Sequence, residues 1–160
     1  MSITNFDEVT ANGLWQEGKE EGKETIMPDN DVLFGTKLAF AEASKDPKFS
    51  DKDATAVLWA AKNRVGKRWG ETLDEVVFAP SQFSGVGSNE WNKAETGNMT
   101  EDEQNIFKRF MQISYGVNSG SIPDPTGGAD HYFNPKLVKP SWSKKMKKVY
   151  TSGVHDYYKE

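Results

Sequence analysis

Apolar positions recur at helical spacing in two long stretches of the chain and one short one, and in a further stretch they surround a single carboxylate. From Ser50, with Asp53 three residues on as a capping-box acid, the pattern places Ala54, Val57, Leu58, Ala61 and Val65 on one face of a helix. Thr100-Glu101-Asp102-Glu103 caps a second long helix with Ile106, Phe110, Ile113 and Val117 on its buried side. Between them, Thr72-Leu73-Asp74-Glu75 is another capping box leading into the short element Val76-Val77-Phe78, which Pro80 closes. The fourth stretch, Leu38-Ala39-Phe40-Ala41-Glu42-Ala43-Ser44, lies near the end of a helix running from about Val32 to Lys45, with Asp29-Asn30-Asp31 as N-cap residues and Pro47 beyond its end. On that helix Glu42 shares a face with Leu38 and Ala39, so its side chain is expected to point into packed protein. A carboxylate taken out of water favours its protonated form and is suited to act as a general acid; the competing reading is a frayed helix end with Glu42 in solvent.

The remaining segments are irregular. Residues 1–31 carry Phe6, Val9, Leu14 and Trp15, then the quasi-repeat Glu17-Gly18-Lys19-Glu20-Glu21-Gly22-Lys23-Glu24, whose glycines weaken a helix. This part is expected to be an N-terminal extension or loop docking through Trp15, with one domain over residues 32–160. Ser81 to Asn92 is a polar, glycine-punctuated loop of the kind that presents functional side chains on a rigid scaffold. After a turn-rich run from Asn118 to Gly128, a basic tail with Trp142, Tyr150, His155, Tyr157 and Tyr158 is expected to be partly extended. The predicted fold is mainly α, at most α+β, in a single compact domain.

Composition narrows the chemistry. The 160 residues are 36% hydrophobic and contain no cysteine, so thiolate chemistry and disulfides are excluded. No apolar run is long enough to span a bilayer, and the first residues lack a signal peptide's basic and apolar regions; the expectation is a soluble product not exported by its own signal. The formal charge of −4 divides unevenly, with residues 1–31 at −6 and residues 131–160 at +5. Such a tail suits an anionic polymer such as a bacterial wall, or is an ordinary solvated lysine face; a nucleic-acid partner is not expected. His131 and His155 are the two histidines and form no metal motif, so neither a metal nor another cofactor is expected. There is no Gly-x-Ser-x-Gly elbow and no phosphate-cradling loop. What remains is a carboxylate on an apolar helix and loops rich in aromatics and amides, the mixture that stacks sugars and hydrogen-bonds their hydroxyls.

Four blocks, in order, resemble the cell-wall hydrolase family typified by the spore cortex-lytic enzyme. They are Glu42-Ala43 with Asp46-Pro47; residues 54–65, Ala54 to Val65; residues 76–84, Val76 to Ser84; and residues 124–135, Asp124 to Pro135. The likeness covers roughly residues 33–158. It implies a lysozyme-like fold, and cleavage of the peptidoglycan glycan strand between N-acetylmuramic acid and N-acetylglucosamine. By the same resemblance Glu42 is the catalytic acid of a lytic transglycosylase, and Gln82, Phe83, Ser84, Tyr132 and Asn134 line the substrate cleft. Read from the residues alone, those loop positions satisfy turns, and Phe83 and Phe133 belong to the core. Ser44 stands where the family often has arginine, and Asp46 where it often has a second glutamate. A hydrolytic muramidase using Asp46 or Asp130, and a non-catalytic wall-binding or virion protein, are the alternatives. A chain aimed at the wall without its own signal is expected to be a phage product, in the virion beside other virion proteins or in the host cytoplasm until lysis.

Overall fold

The computed structural model describes residues 30–43, 51–79, 83 and 85–160. Among the described residues five helices come first: α1 (Asn30–Ala43), α2 (Asp51–Arg64), α3 (Leu73–Phe78), α4 (Asn89–Thr96) and α5 (Glu101–Ser119). Strand β1 (His131–Phe133), a 3-10 turn (Ser141–Lys144), β2 (Lys147–Thr151) and β3 (Asp156–Lys159) follow. The strands form one antiparallel sheet in the order β1-β3-β2, in which Tyr132 faces Tyr157 across β1 and β3. The molecule is mainly α with a small sheet, as expected; of the segment 1–31 expected to be an N-terminal extension, residues 1–29, including Trp15, lie outside the described residues, while Asn30 and Asp31 belong to the first turn of α1.

Helix α1 is the centre. Its residues join two apolar clusters: Val32, Ala39, Phe40 and Ala43 pack with α2 and α5, while Leu38 and Ala41 pack with Ala56, Val57, Val76, Val77, Trp91 and Tyr157. A helix apolar nearly all round belongs inside, and α1 has little polar face to offer water. Small residues make this possible. Ala39, Ala41, Ala43, Ala54, Ala56, Ala60 and Ala61 are all buried, so α1 and α2 pack through short side chains.

The capping boxes form as predicted. Thr72 accepts from the backbone of Glu75 at the start of α3, Thr100 does the same with Glu103 at α5, and in both the glutamate reaches back to the cap. Three expectations need correction. The segment from Ser81 to Asn92 is not loop throughout, because Ser88 caps α4 and Gly97 closes it in the left-handed conformation (φ 74°). On α5 the buried stripe runs through Phe107, Phe110, Met111, Ser114 and Val117, which leaves Ile106 and Ile113 on its flanks. Val65 lies just past the end of α2 and is half-buried.

The loop into β1 is gripped by the end of α2. Oδ2 of Asp124 accepts from the Asn63 amide at 2.9 Å and from the Gly128 N–H at 3.0 Å. Its Oδ1 accepts from the Thr126 N–H at 2.8 Å and the Thr126 hydroxyl at 2.6 Å. Asn63 donates also to the carbonyl of Ala129, and Arg64 donates through Nε to the carbonyl of Asp130. Asn63 and Arg64 thus set where β1 begins.

Partial burial pushes the Asp124 carboxyl up, but these four hydrogen bonds outweigh it and hold it below the ordinary carboxylate value. A lowered folded value gives stability that is complete above the unfolded value of about 3.9 and is lost as pH falls through the folded one. Urea unfolding of wild type and Asp124→Asn should therefore differ most near neutral pH, with wild type the more stable, and the gap should close below about pH 4. A gap that is constant across that range would contradict this role for Asp124.

Candidate active site

Glu42 projects from the last turn of α1 and is 7% exposed, so the helix does not fray there and the carboxylate is buried. The hydroxyl of Tyr132, on β1, donates to its Oε1 at 2.7 Å. The other oxygen faces the start of the turn 85–88. A Cβ built on Gly85 would sit 2.3 Å from Oε2 of Glu42 and 2.9 Å from the Ala41 methyl, closer than real Cβ atoms approach. A side chain at this position would have to push the Glu42 carboxyl aside.

Tyr132 is enclosed by rings. Phe83 lies 6.1 Å away between centroids, Tyr157 5.4 Å, and His155 5.0 Å in an edge-on contact. Burial and the neighbouring charge of Glu42 push the Tyr132 phenol well above its ordinary value. At neutral pH Tyr132 keeps its proton and acts as a donor to Glu42, never as a base. Phe83 is buried and lies 4.8 Å from the Arg64 guanidinium, which also lies 4.3 Å from the Trp69 ring. Burial lowers the Arg64 value.

The other predicted positions divide. Gln82 and Ser84 lie outside the described residues, as do Ser44 and Asp46. Asn134 turns the chain after β1, where its Oδ1 accepts from the Lys136 N–H at 2.9 Å and its carbonyl from Leu137 and Val138. This is the turn-forming role. Asp130 is 2% exposed and engaged: Oδ1 takes His131 Nδ1 at 2.9 Å and the Glu160 N–H at 3.0 Å, and Oδ2 lies 3.5 Å from Lys67 Nζ. Burial pushes its carboxyl up, yet the hydrogen bonds from His131 and Glu160 and the charge of Lys67 bring it below the ordinary value. Phe133 joins Trp142 and Tyr158 in a ring cluster. The lysines at 144, 145, 147 and 148 are exposed.

Two residues of this region were not singled out from sequence. Gly85 is one, its only signal being a glycine in a functional loop; Asp53 is the other, read as a capping acid though its carboxylate meets Ser152, His155 and Tyr157. Among the described residues no three His, Asp or Glu side chains gather as a metal site. No helix among them is long and apolar enough to cross a membrane. A cavity of about 490 Å³ lies at the other end of α1, lined by Asn30, Phe34, Leu58, Lys62 and Leu73 among others. Of its lining acids Asp31 and Glu71 are exposed and Asp74 is half-buried, so it lacks the buried acid that distinguishes the Glu42 end.

The fold is that of two solved structures. The catalytic domain of the germination-specific lytic transglycosylase SleB from Bacillus anthracis is 21% identical with a TM-score of 0.57, over 88% of this chain and 100% of that one. The catalytic domain of the Bacillus cereus SleB protein is 23% identical with a TM-score of 0.57, over 89% of this chain and 99% of that one. No curated protein matches the sequence. The family model described as Cell Wall Hydrolase matches residues 49–158, a span that begins seven residues after Glu42. With more than half its length matched, the chain belongs to the cell wall hydrolase family, and it is an enzyme with the lysozyme-like fold.

Proposed function

We propose that the protein cleaves the glycan strand of peptidoglycan as a lytic transglycosylase, with Glu42 as its single catalytic acid. The observation that carries this reading is the lone buried carboxylate on the central helix, one oxygen held by Tyr132 and the other beside Gly85, which has no side chain to stand against it. Membership of a cell wall hydrolase family and the fold shared with SleB catalytic domains support the substrate class.

In the proposed reaction protonated Glu42 gives its proton to the oxygen linking N-acetylmuramic acid to N-acetylglucosamine. The bond from that oxygen to the anomeric carbon breaks, and positive charge develops on the muramic sugar. Glu42, now a carboxylate, removes the proton from that sugar's C6 hydroxyl, whose oxygen bonds to the anomeric carbon. The product is a 1,6-anhydro end, and the acid is restored without water being consumed. Tyr132 fits this sequence, because a hydroxyl donating to Glu42 binds most strongly when the carboxylate has just become charged. An intramolecular nucleophile needs no second carboxylate to activate water, unlike most glycosidases.

The hydrolytic alternative requires a second acid facing Glu42. Asp130 is committed to His131, Glu160 and Lys67, which disfavours it in that role. Digestion of purified peptidoglycan by wild type and Glu42→Gln, with mass analysis of the released ends, tests the reading. Anhydro ends that disappear in the variant are expected. Reducing ends would establish a muramidase, and binding without release by the wild type would establish a non-catalytic wall protein. Gly85→Ala provides a second check: a methyl against Oε2 should displace the acid and lower turnover on the order of 10²-fold in a folded protein. Unchanged turnover would contradict the placement of Glu42.

A further inference from the structure

Asp53 is fully buried in the first turn of α2, and no step of the proposed reaction uses it. Its Oδ1 accepts from the Tyr157 hydroxyl at 2.7 Å and the Ser152 hydroxyl at 2.6 Å, and Nδ1 of His155 lies 2.9 Å from its Oδ2. The backbone N–H of His155 in turn donates to Ser152 Oγ at 3.1 Å. This is no nucleophilic triad, since Ser152 meets the carboxylate and not the imidazole. Nor is it a cheap anchor, because burying a carboxylate costs more than burying an apolar side chain of the same size.

What the carboxylate provides is fixed geometry at the back of Tyr132. The two rings it holds, His155 and Tyr157, are the two nearest of the three rings around Tyr132, at 5.0 Å and 5.4 Å against 6.1 Å for Phe83. Tyr157 is also the direct partner of Tyr132 across the β1–β3 pair. One end of Tyr132 is therefore set by Asp53 on α2, and the other reaches Glu42 on α1. Since α1 and α2 share one packed core, the distance between the two carboxylates' helices is rigid, and Tyr132 is suspended between them. We infer that Asp53, His155 and Tyr157 form a positioning unit for glycan cleavage, holding the Tyr132 ring so that its hydroxyl stays on Oε1 of Glu42. This rests on the reading of Glu42 as the acid.

The test is a double-mutant cycle on soluble glycan fragments of peptidoglycan. Tyr157→Phe keeps the ring against Tyr132 and removes its hold on Asp53; Asp53→Asn keeps the shape and removes the charge. Each is expected to lower kcat about 10-fold or more, up to the order of 10²-fold, with KM little changed. In a Tyr132→Phe background, where no hydroxyl remains to be positioned, neither should lower kcat further. Losses that multiply in that background, or a folded variant with wild-type kcat, would overturn the inference. If Asp53→Asn does not fold, Tyr157→Phe decides by the same criteria, with circular dichroism verifying its fold. Full turnover by Glu42→Gln would remove the reading of the acid and this inference with it. An inactive Glu42→Gln with multiplying losses would remove the inference alone.

Discussion

The hydrogen bond from Tyr132 to Glu42 joins the two halves of this molecule at the point where its chemistry is proposed to occur. Ninety residues separate the partners in sequence, and the 2.7 Å contact exists because a helix end and a three-residue strand are each held independently. A single hydrogen bond contributes about 1 kcal/mol net, too little to drag a misplaced strand into position. The scaffold must therefore bring the groups together before the bond forms. Asp124 with Asn63 fixes the start of β1, and the core around α1 fixes Glu42.

Burying α1 on two sides stabilises the molecule and buries the carboxylate proposed as its acid. The helix is lined by alanine, leucine and phenylalanine over its buried length, and Glu42, unlike Asp31 in the exposed first turn, is thereby taken out of water. The two buried carboxylates behave differently. Asp53 has three side-chain donors around it and is tied in place, whereas Glu42 has Tyr132 at one oxygen and a glycine beside the other. The first arrangement suits holding; the second suits exchange of a proton with a ligand.

Much of the frame was legible because local chemistry decides it. The boxes at Thr72 and Thr100 act over four residues, and the crowding of Leu38, Ala39, Phe40 and Ala41 around Glu42 was enough to foresee its burial. Helix α4 was missed because it is short, buries only Trp91 and Ala94, and begins inside a run of glycine and serine that reads as loop. The extended tail was legible, but its pairing into a sheet was not, since β2 has no alternation of buried and exposed residues for periodicity to detect. The resemblance brought Tyr132 forward, but its hydrogen bond to Glu42 depends on long-range pairing of β1 with β3. The same holds for Asp53, whose local context says capping while its carboxylate meets residues about a hundred positions away. Gly85 was illegible because what matters there is its close approach to Oε2 of Glu42, which no residue pattern records.

The central claim is that the carboxylate at position 42 meets the bond between two wall sugars. A crystal structure of the Glu42→Gln protein with an intact glycan fragment bound is the most direct test. The account predicts the glycosidic oxygen within hydrogen-bond reach of the substituted amide, about 2.6–3.2 Å, with the muramic C6 hydroxyl on the same side of the ring. A glycan seated elsewhere on the molecule, or with its linking oxygen far from that side chain, would contradict it.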